Sequence, residues 1–251
     1  MAEIKLYVLA GADPDLWVSP YCWRVKMAIA HKGLPCETIP WRFSDKPRIS
    51  HSGGETVPVI ADGKEIVRDS WAILEYLDEA YPEKSLLFPS QSDRLYGEFV
   101  KDWFDNTVHP AVAPVCMPDV FSVIDQNDRD YFRKSRESRF GMTLEALADA
   151  RETFLEPMKK SFVPLRAMLE RNEYLGGDSI HVADYIAFGT FQWIRGTSKH
   201  SLFEPSDPIA SWCERMLNLF DGLGRTVPQR ASSQAIHERM EVIFPAICSE
   251  N

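Results

Sequence analysis

Every strand-like pattern in this chain lies before residue 68, and beyond Pro89 the apolar spacing is helical throughout. Any sheet must therefore be assembled from the opening segment alone, and the rest must pack as helices. Ile4-Lys5-Leu6-Tyr7-Val8-Leu9 reads as a strand, and residues 20–32 as a helix closed by Gly33. Residues 36–41 read as a second strand, with Pro40 pointing to an edge position. Residues 42–55 are polar, contain Gly53-Gly54, and read as a loop. Val57-Pro58-Val59-Ile60 is a strand that starts at a proline, 61–64 a hairpin turn, and 65–67 the return strand. Asp69-Ser70 opens a helix with Ile73, Leu74 and Leu77 on its apolar face, ending near Tyr81-Pro82.

The order is βαβ, a loop, ββ, then α. A βα crossover makes the first two strands parallel, and the hairpin adds antiparallel strands. The expectation is an α/β domain with a small mixed sheet of the thioredoxin type, followed by an all-α domain. The helical part shows long periodic segments near 93–116, 125–150, 151–171, 182–196 and 208–221. Residues 83–92, with proline and polar content, read as the joint, so the expected domains are 1–84 and 93–251.

A net charge of −9 argues against a nucleic-acid partner. With no run of 18 apolar residues and no charged-then-apolar leader pattern, the expectation is a cytoplasmic protein without a membrane partner. Cys22, Cys36, Cys116, Cys213 and Cys248 form no C-x-x-C pair and no Cys/His cluster with zinc spacing. Free thiols in a reducing compartment, and no metal, are expected. Cys22 stands apart because it lies one turn into the first helix.

That helix begins Ser19-Pro20-Tyr21-Cys22-Trp23-Arg24-Val25-Lys26. Serine is a good N-cap, and proline suits the first helical position because its missing N–H would be unpaired there. The helix start thus gathers a hydroxyl, free N–H groups and a partial positive charge, which would hold and ionise an anion such as a thiolate. An ordinary capped helix carries the same residues, so the site depends on what accompanies it. At Asp69-Ser70 a second helix start is placed to receive a carboxylate, with Asp69 beside it to pair with an ammonium. Ser70 is the candidate N-cap there.

The chain resembles the cytosolic glutathione transferases over nearly its whole length. In that family the head of the first helix carries a catalytic Ser, Tyr or Cys, which implies a catalytic role for Ser19. Val57-Pro58 resembles the family's cis-proline site, and Asp69-Ser70 its pair that holds the γ-glutamyl end of glutathione. The resemblance thus implies glutathione as cosubstrate, bound by Val57, Pro58, Asp69 and Ser70, and a homodimer. Ser-Pro-Tyr-Cys-Trp-Arg-Val-Lys-x-Ala-x-x-His-Lys-Gly and Asp-Ser-Trp-x-Ile-x-Glu-Tyr-Leu-Asp-Glu-x-Tyr-Pro are similar to the β-etherase type, the bacterial lignin β-aryl etherases and fungal FuA class. Trp103 to Asn106, Asp-Arg-Asp-Tyr at 128–131 and Phe-Asp-Gly-Leu-Gly-Arg at 220–225 extend that similarity. It implies thiolate attack on aromatic electrophiles, with cleavage of β-aryl ethers of phenolics. A broad detoxifying transferase, a ligandin that binds phenolic compounds without turnover, and a thiol reductase working through Cys22 are the competing readings.

The second substrate implied is a small aromatic or phenolic molecule. Tyr21, Trp103, Val112, Met117 and Phe121 are the candidates for its hydrophobic site, the last three because Pro110, Pro114 and Pro118 are expected to interrupt the helix there and border a pocket. His181-Val182-Ala183-Asp184 reads as a capping box, equipment for folding rather than catalysis.

Overall fold

The computed structural model describes residues 3–199, 203–227 and 229–230. Cys248 and the end of the expected second domain lie outside the described residues. Strands β1 (Ile4–Leu9), β2 (Cys36–Trp41), β3 (Val59–Asp62) and β4 (Glu65–Arg68) form one sheet in the order β2-β1-β3-β4. β1 and β2 are parallel, whereas the pairs β1–β3 and β3–β4 are antiparallel. Pro40 sits in the edge strand β2, where a missing ladder donor costs least. Helices α1 (Pro20–His31) and α2 (Ser70–Ala80) complete this half, the thioredoxin-like arrangement.

Residues 42–55 depart from the loop expectation. Phe43–Ser52 forms 3-10 turns, closed by Gly53 at φ 70°. The Asp128 carboxylate accepts from Phe43 N–H at 2.9 Å and Ser44 N–H at 2.8 Å, which satisfies the donors that open these turns. The partner lies 84 residues away, so no local pattern announces it.

The second half is helical: α3 (Gln91–Trp103), α4 (His109–Val123), α5 (Arg129–Phe140), α6 (Leu144–Asp149), α7 (Arg151–Ser161), α8 (Val163–Leu169), α9 (Val182–Thr197) and α10 (Pro208–Gly222). The expected segment 125–150 is split where Gly141 takes φ 66° and Thr143 starts a new cap. The expected break at Pro110, Pro114 and Pro118 is absent: α4 runs through Pro114 and Pro118. These prolines are one turn apart, so the lost bonds fall on one stripe and the remaining rows carry the helix. The irregularity lies earlier, in a π turn over Phe104–Val108, where His109 N–H bonds to Phe104 C=O. A proline ring clashes with the carbonyl four residues back, and the wider turn takes up the strain ahead of Pro110.

The two halves meet along α1 and α9. A Cβ at Gly189 would collide with the Pro20 carbonyl oxygen, so only glycine lets α9 approach the start of α1 this closely. The Trp23 and Phe188 rings meet edge-on across the seam, with centroids 6.3 Å apart. One core runs through both halves, and Trp41, Ile49 and Val59 form a smaller cluster.

Candidate functional site

Strand register places three chain segments at one end of the sheet. Leu9 ends β1, and its carbonyl accepts from Val18 N–H at 2.9 Å, so Ser19 follows directly from that strand end. Tyr7 pairs with Val59, so β3 starts at the same end, immediately after Val57-Pro58. Val59 pairs with Arg68, so β4 ends there and hands over to Asp69-Ser70. The N-termini of α1 and α2 therefore open on the same rim, and both present positive dipole ends.

Ser19 is extended, buried, and accepts from Cys22 N–H at a long 3.4 Å. It caps α1 as its sequence predicts, and the long bond engages only one lone pair of the hydroxyl. The Val57–Pro58 peptide is cis. Val57 N–H and C=O have no main-chain partner among the described residues.

At the second helix start the cap is Asp69, not Ser70. Asp69 Oδ1 accepts from Trp71 N–H at 2.9 Å and Ala72 N–H at 3.1 Å, which makes Ser70 the first helical residue. Asp69 holds φ at 73°, a region that costs a non-glycine residue about 1–3 kcal/mol and is concentrated at ligand sites. This geometry turns the Asp69 carboxylate over the helix end and leaves the Ser70 N–H pointing out of it.

Behind the rim lies a buried polar cluster for which the motif reading assigned no role. Arg24 is 1% exposed; its Nη1 donates to Ser70 Oγ at 3.2 Å and its Nη2 to Asp105 Oδ1 at 3.1 Å. Because Ser70 Oγ accepts there, its own proton is free to donate outward. Asp105 belongs to the π turn. His109, at the end of that turn, bonds through Nδ1 to the Tyr21 hydroxyl at 3.2 Å and through Nε2 to Thr190 Oγ1 at 2.8 Å. Burial, followed by the Arg24 charge, pushes His109 down to about 4, so it is neutral at pH 7. Burial, followed by the Asp105 charge, raises Tyr21, so its hydroxyl keeps its proton. The sign in the sequence was an arginine among the apolar residues of α1, where a buried charge demands a partner.

The hydrophobic-site candidates separate. Tyr21 is half-buried and, through His109, borders the π turn. Trp103 is half-buried against Phe104, with ring centroids 4.9 Å apart. Val112 has 0% exposure and lies in the core, so it has no surface for a substrate. Met117 is also packed in that core. Phe121 stacks on Phe132 with the Arg133 guanidinium 4.6 Å above its ring, so it is occupied by α5. Cys22 is fully buried, and burial raises its thiol to about 11, so it holds its proton at neutral pH. Among the described residues no three His, Cys, Asp or Glu side chains are placed to hold a metal ion, and no helix is long and apolar enough to cross a membrane.

Residues 15–85 match the family described as glutathione S-transferase, N-terminal domain, and residues 97–212 the family described as glutathione S-transferase, C-terminal domain. Glutathione S-transferase Z1 of Arabidopsis thaliana is 44% identical over 92 residues, which cover 34% of this chain and 38% of that protein. A probable glutathione S-transferase of rice, GSTU6, is 24% identical over 213 residues, covering 80% of this chain and 81% of that protein. Glutathione transferase GSTFuA3 of Phanerochaete chrysosporium shares the fold at a TM-score of 0.72 and 22% identity, covering 98% of this chain and 100% of its own. A Ceriporiopsis subvermispora glutathione S-transferase solved in complex with glutathione gives a TM-score of 0.69 at 24% identity, covering 98% and 100% of the two chains.

Proposed function

The chain belongs to the glutathione S-transferase family, and from that membership we propose that it binds glutathione on the shared rim of α1 and α2 and transfers it to aromatic electrophiles. The observation that carries this reading is the convergence of the two helix starts with the free main-chain groups of Val57. In it, residues 1–84 form the glutathione-binding domain and 93–251 supply the hydrophobic site. The γ-glutamyl carboxylate takes the Ser70 N–H and O–H, and the ammonium takes the Asp69 carboxylate. Val57, ahead of Pro58, pairs with the cysteinyl amide as a strand would. The thiolate accepts from Ser19 Oγ–H at the positive end of α1.

Thiol activation is the smaller part of such catalysis. A free thiol of pKa near 8.5 is about 3% ionised at pH 7. Lowering it by ~2 units ionises about three-quarters of it, yet a Brønsted slope of about 0.4–0.5 returns most of that gain. Holding thiolate and electrophile together supplies more.

For the substrate we propose a β-aryl ether of lignin-type phenolics. The sulfur lone pair forms the bond to the carbon bearing the aryloxy group, and the C–O electron pair leaves as phenolate, which takes a proton. Tyr21, kept protonated and two residues from Ser19, borders the seam where such a ring would enter. Cleavage of a fluorogenic β-aryl ether model with and without glutathione tests this. Glutathione-dependent phenol release is expected. Conjugation of simple aromatic halides without ether cleavage would reduce the reading to a broad transferase, and tight aromatic binding without any turnover would favour a ligandin. The protonated, enclosed Cys22 thiol argues against a reductase.

The protein is proposed to act as a cytoplasmic homodimer. Leu95 is 54% and Phe99 67% exposed one turn apart on α3, an apolar stripe suited to a second copy. Light scattering at micromolar concentration is expected to give twice the chain mass.

A further inference from the structure

His109 stands between the rim and the core with both ring nitrogens engaged, and its partners decide which nitrogen carries the proton. Nε2 lies 2.8 Å from Thr190 Oγ1, and Nδ1 lies 3.2 Å from the Tyr21 hydroxyl. Burial keeps the ring neutral, so a single proton has to be placed. Thr190 is fully buried in α9, and its hydroxyl has no other hydrogen-bond partner among the described residues. With the proton on Nε2, Thr190 would accept it and leave its own proton unpaired in the core, which costs more than an ordinary hydrogen bond returns. The Nδ1 lone pair would also face Asp105 Oδ1 at 3.5 Å. Both conflicts vanish in the other tautomer. Thr190 Oγ–H then donates to Nε2, and Nδ1–H donates to the Tyr21 oxygen with the Asp105 carboxylate beside it.

Tyr21 keeps a free proton in this arrangement. Its oxygen accepts from His109, and no other protein group among the described residues bonds its hydroxyl. His109 is 7% exposed and Thr190 0%, whereas Tyr21 is half-buried, so Tyr21 is the end of this chain of bonds that reaches the surface. The Tyr21 ring is held from two sides. The Arg24 guanidinium lies 5.0 Å over its face, and the His109 ring meets it edge-on with centroids 5.3 Å apart. A bond accepted at the Tyr21 oxygen polarises the O–H and strengthens the bond it donates in turn.

We propose that His109 is a positioning residue for the ether cleavage proposed above, on which this inference rests. Fixed by Thr190 as the Nδ1–H tautomer, it turns the Tyr21 O–H outward as a hydrogen-bond donor to the oxygen of the departing phenol. The sulfur lone pair forms the C–S bond while the C–O pair moves onto that oxygen, where the Tyr21 hydroxyl meets the developing charge. The proton stays on Tyr21, which burial and Asp105 make a weaker acid, and the released phenolate takes its proton from water.

The tautomer is read without any substrate. Heteronuclear NMR of the histidine ring nitrogens at pH 7, with His109 assigned by its loss in His109→Gln, is expected to show a protonated Nδ1 and a bare Nε2. A proton on Nε2 would overturn the proposal. The role in the reaction is read from β-aryl ether models whose leaving phenols run from 4-nitrophenol to 4-methylphenol, because help at the departing oxygen matters most for the poorest leaving group. His109→Phe is expected to slow release of 4-methylphenol at least about tenfold and of 4-nitrophenol no more than about twofold. Tyr21→Phe is expected to steepen the dependence in the same way, and His109→Phe added to it to cost little more. Equal losses along the series, or losses that add in the double variant, would make His109 merely structural and overturn the proposal. Phenol release from no member of the series by the wild type would instead overturn the ether-cleaving reading, and this inference with it.

Discussion

The guanidinium of Arg24, enclosed in α1, donates to the hydroxyl of Ser70 at the head of α2, 46 residues further along the chain. One buried cation thus ties the two helix starts of the candidate site to each other and, through Asp105, to the π turn of the helical half. Arg24→Lys keeps the charge and loses the fork that serves two acceptors at once. The lysine can keep Asp105 paired but leaves the buried Ser70 hydroxyl without its donor, so a loss of about 1–3 kcal/mol is expected by urea unfolding. Losing the bond that orients Ser70 is expected to raise the glutathione KM about tenfold, the equivalent of about 1.4 kcal/mol. The kcat is expected to change far less. A variant with unaltered KM would separate Arg24 from glutathione binding.

Ser19 has two tasks that one variant can tell apart. As a cap its bond is long, so Ser19→Ala is expected to cost at most about 1 kcal/mol of stability. As the donor to sulfur it is helped by main-chain N–H groups, so turnover is expected to fall by up to ~100-fold rather than vanish. The acid limb of the kcat/KM profile is expected to move to higher pH, because the thiol loses a donor that favours its ionised form. Ser19→Thr is expected to restore most of the rate. An unmoved profile and an unaltered rate would take Ser19 out of the mechanism.

Asp69 joins a cap, an unfavourable φ and a proposed charge contact in one side chain. Asparagine caps a helix as well as aspartate does and tolerates positive φ, so Asp69→Asn is expected to hold stability within about 0.5 kcal/mol. Its lost charge is expected to weaken glutathione about tenfold. A glutathione analogue lacking the α-ammonium is expected to bind the wild type and the variant equally, as calorimetry would read. A similar loss with both ligands would mean that the substitution acts through shape.

The sheet and its helices were legible because each rests on local pattern: alternation at Ile4–Leu9, a Ser-Pro helix start, an Asp-Gly turn. The proline at 58 and the Asp69-Ser70 turn were legible as positions, while which of the two residues caps α2 depended on a backbone angle that composition does not encode. What escaped reading was long-range. Asp128 satisfies N–H groups 84 and 85 residues before it and so turns a polar loop into helical turns. Prolines at 110, 114 and 118 look like breaks, yet packing in the core holds α4 intact and shifts the irregularity upstream. Val112 shows the same limit for function, since helical spacing picks out buried residues and does not say whether a ligand or a neighbouring helix covers them. Arg24 was visible only as an anomaly, a charge on a helix whose other positions are mostly apolar.

His109 sets an expectation for acid stability. It is neutral in the folded protein, displaced to about 4 by burial, whereas the unfolded imidazole protonates near 6.5. Below 6.5 the unfolded chain binds the proton and the folded one does not, so this contribution is complete above 6.5 and drains away as pH falls towards 4. A displacement of that size is worth up to about 3 kcal/mol. Asp184 works in the opposite sense: burial raises it to about 6, so the folded state gains from protonation over part of the same interval. The two are separated by difference. His109→Gln keeps groups able to bond Tyr21 or Thr190 and removes the titration. It is expected to be less stable than the wild type at pH 7, and the gap is expected to narrow steadily down to pH 4, because Asp184 contributes equally to both proteins and cancels. Chemical unfolding at half-unit pH steps would read it. A gap that stays constant with pH would mean that His109 does not titrate between its folded and unfolded values, and that the acid sensitivity of this seam arises from His31 or His181, both also lowered by burial.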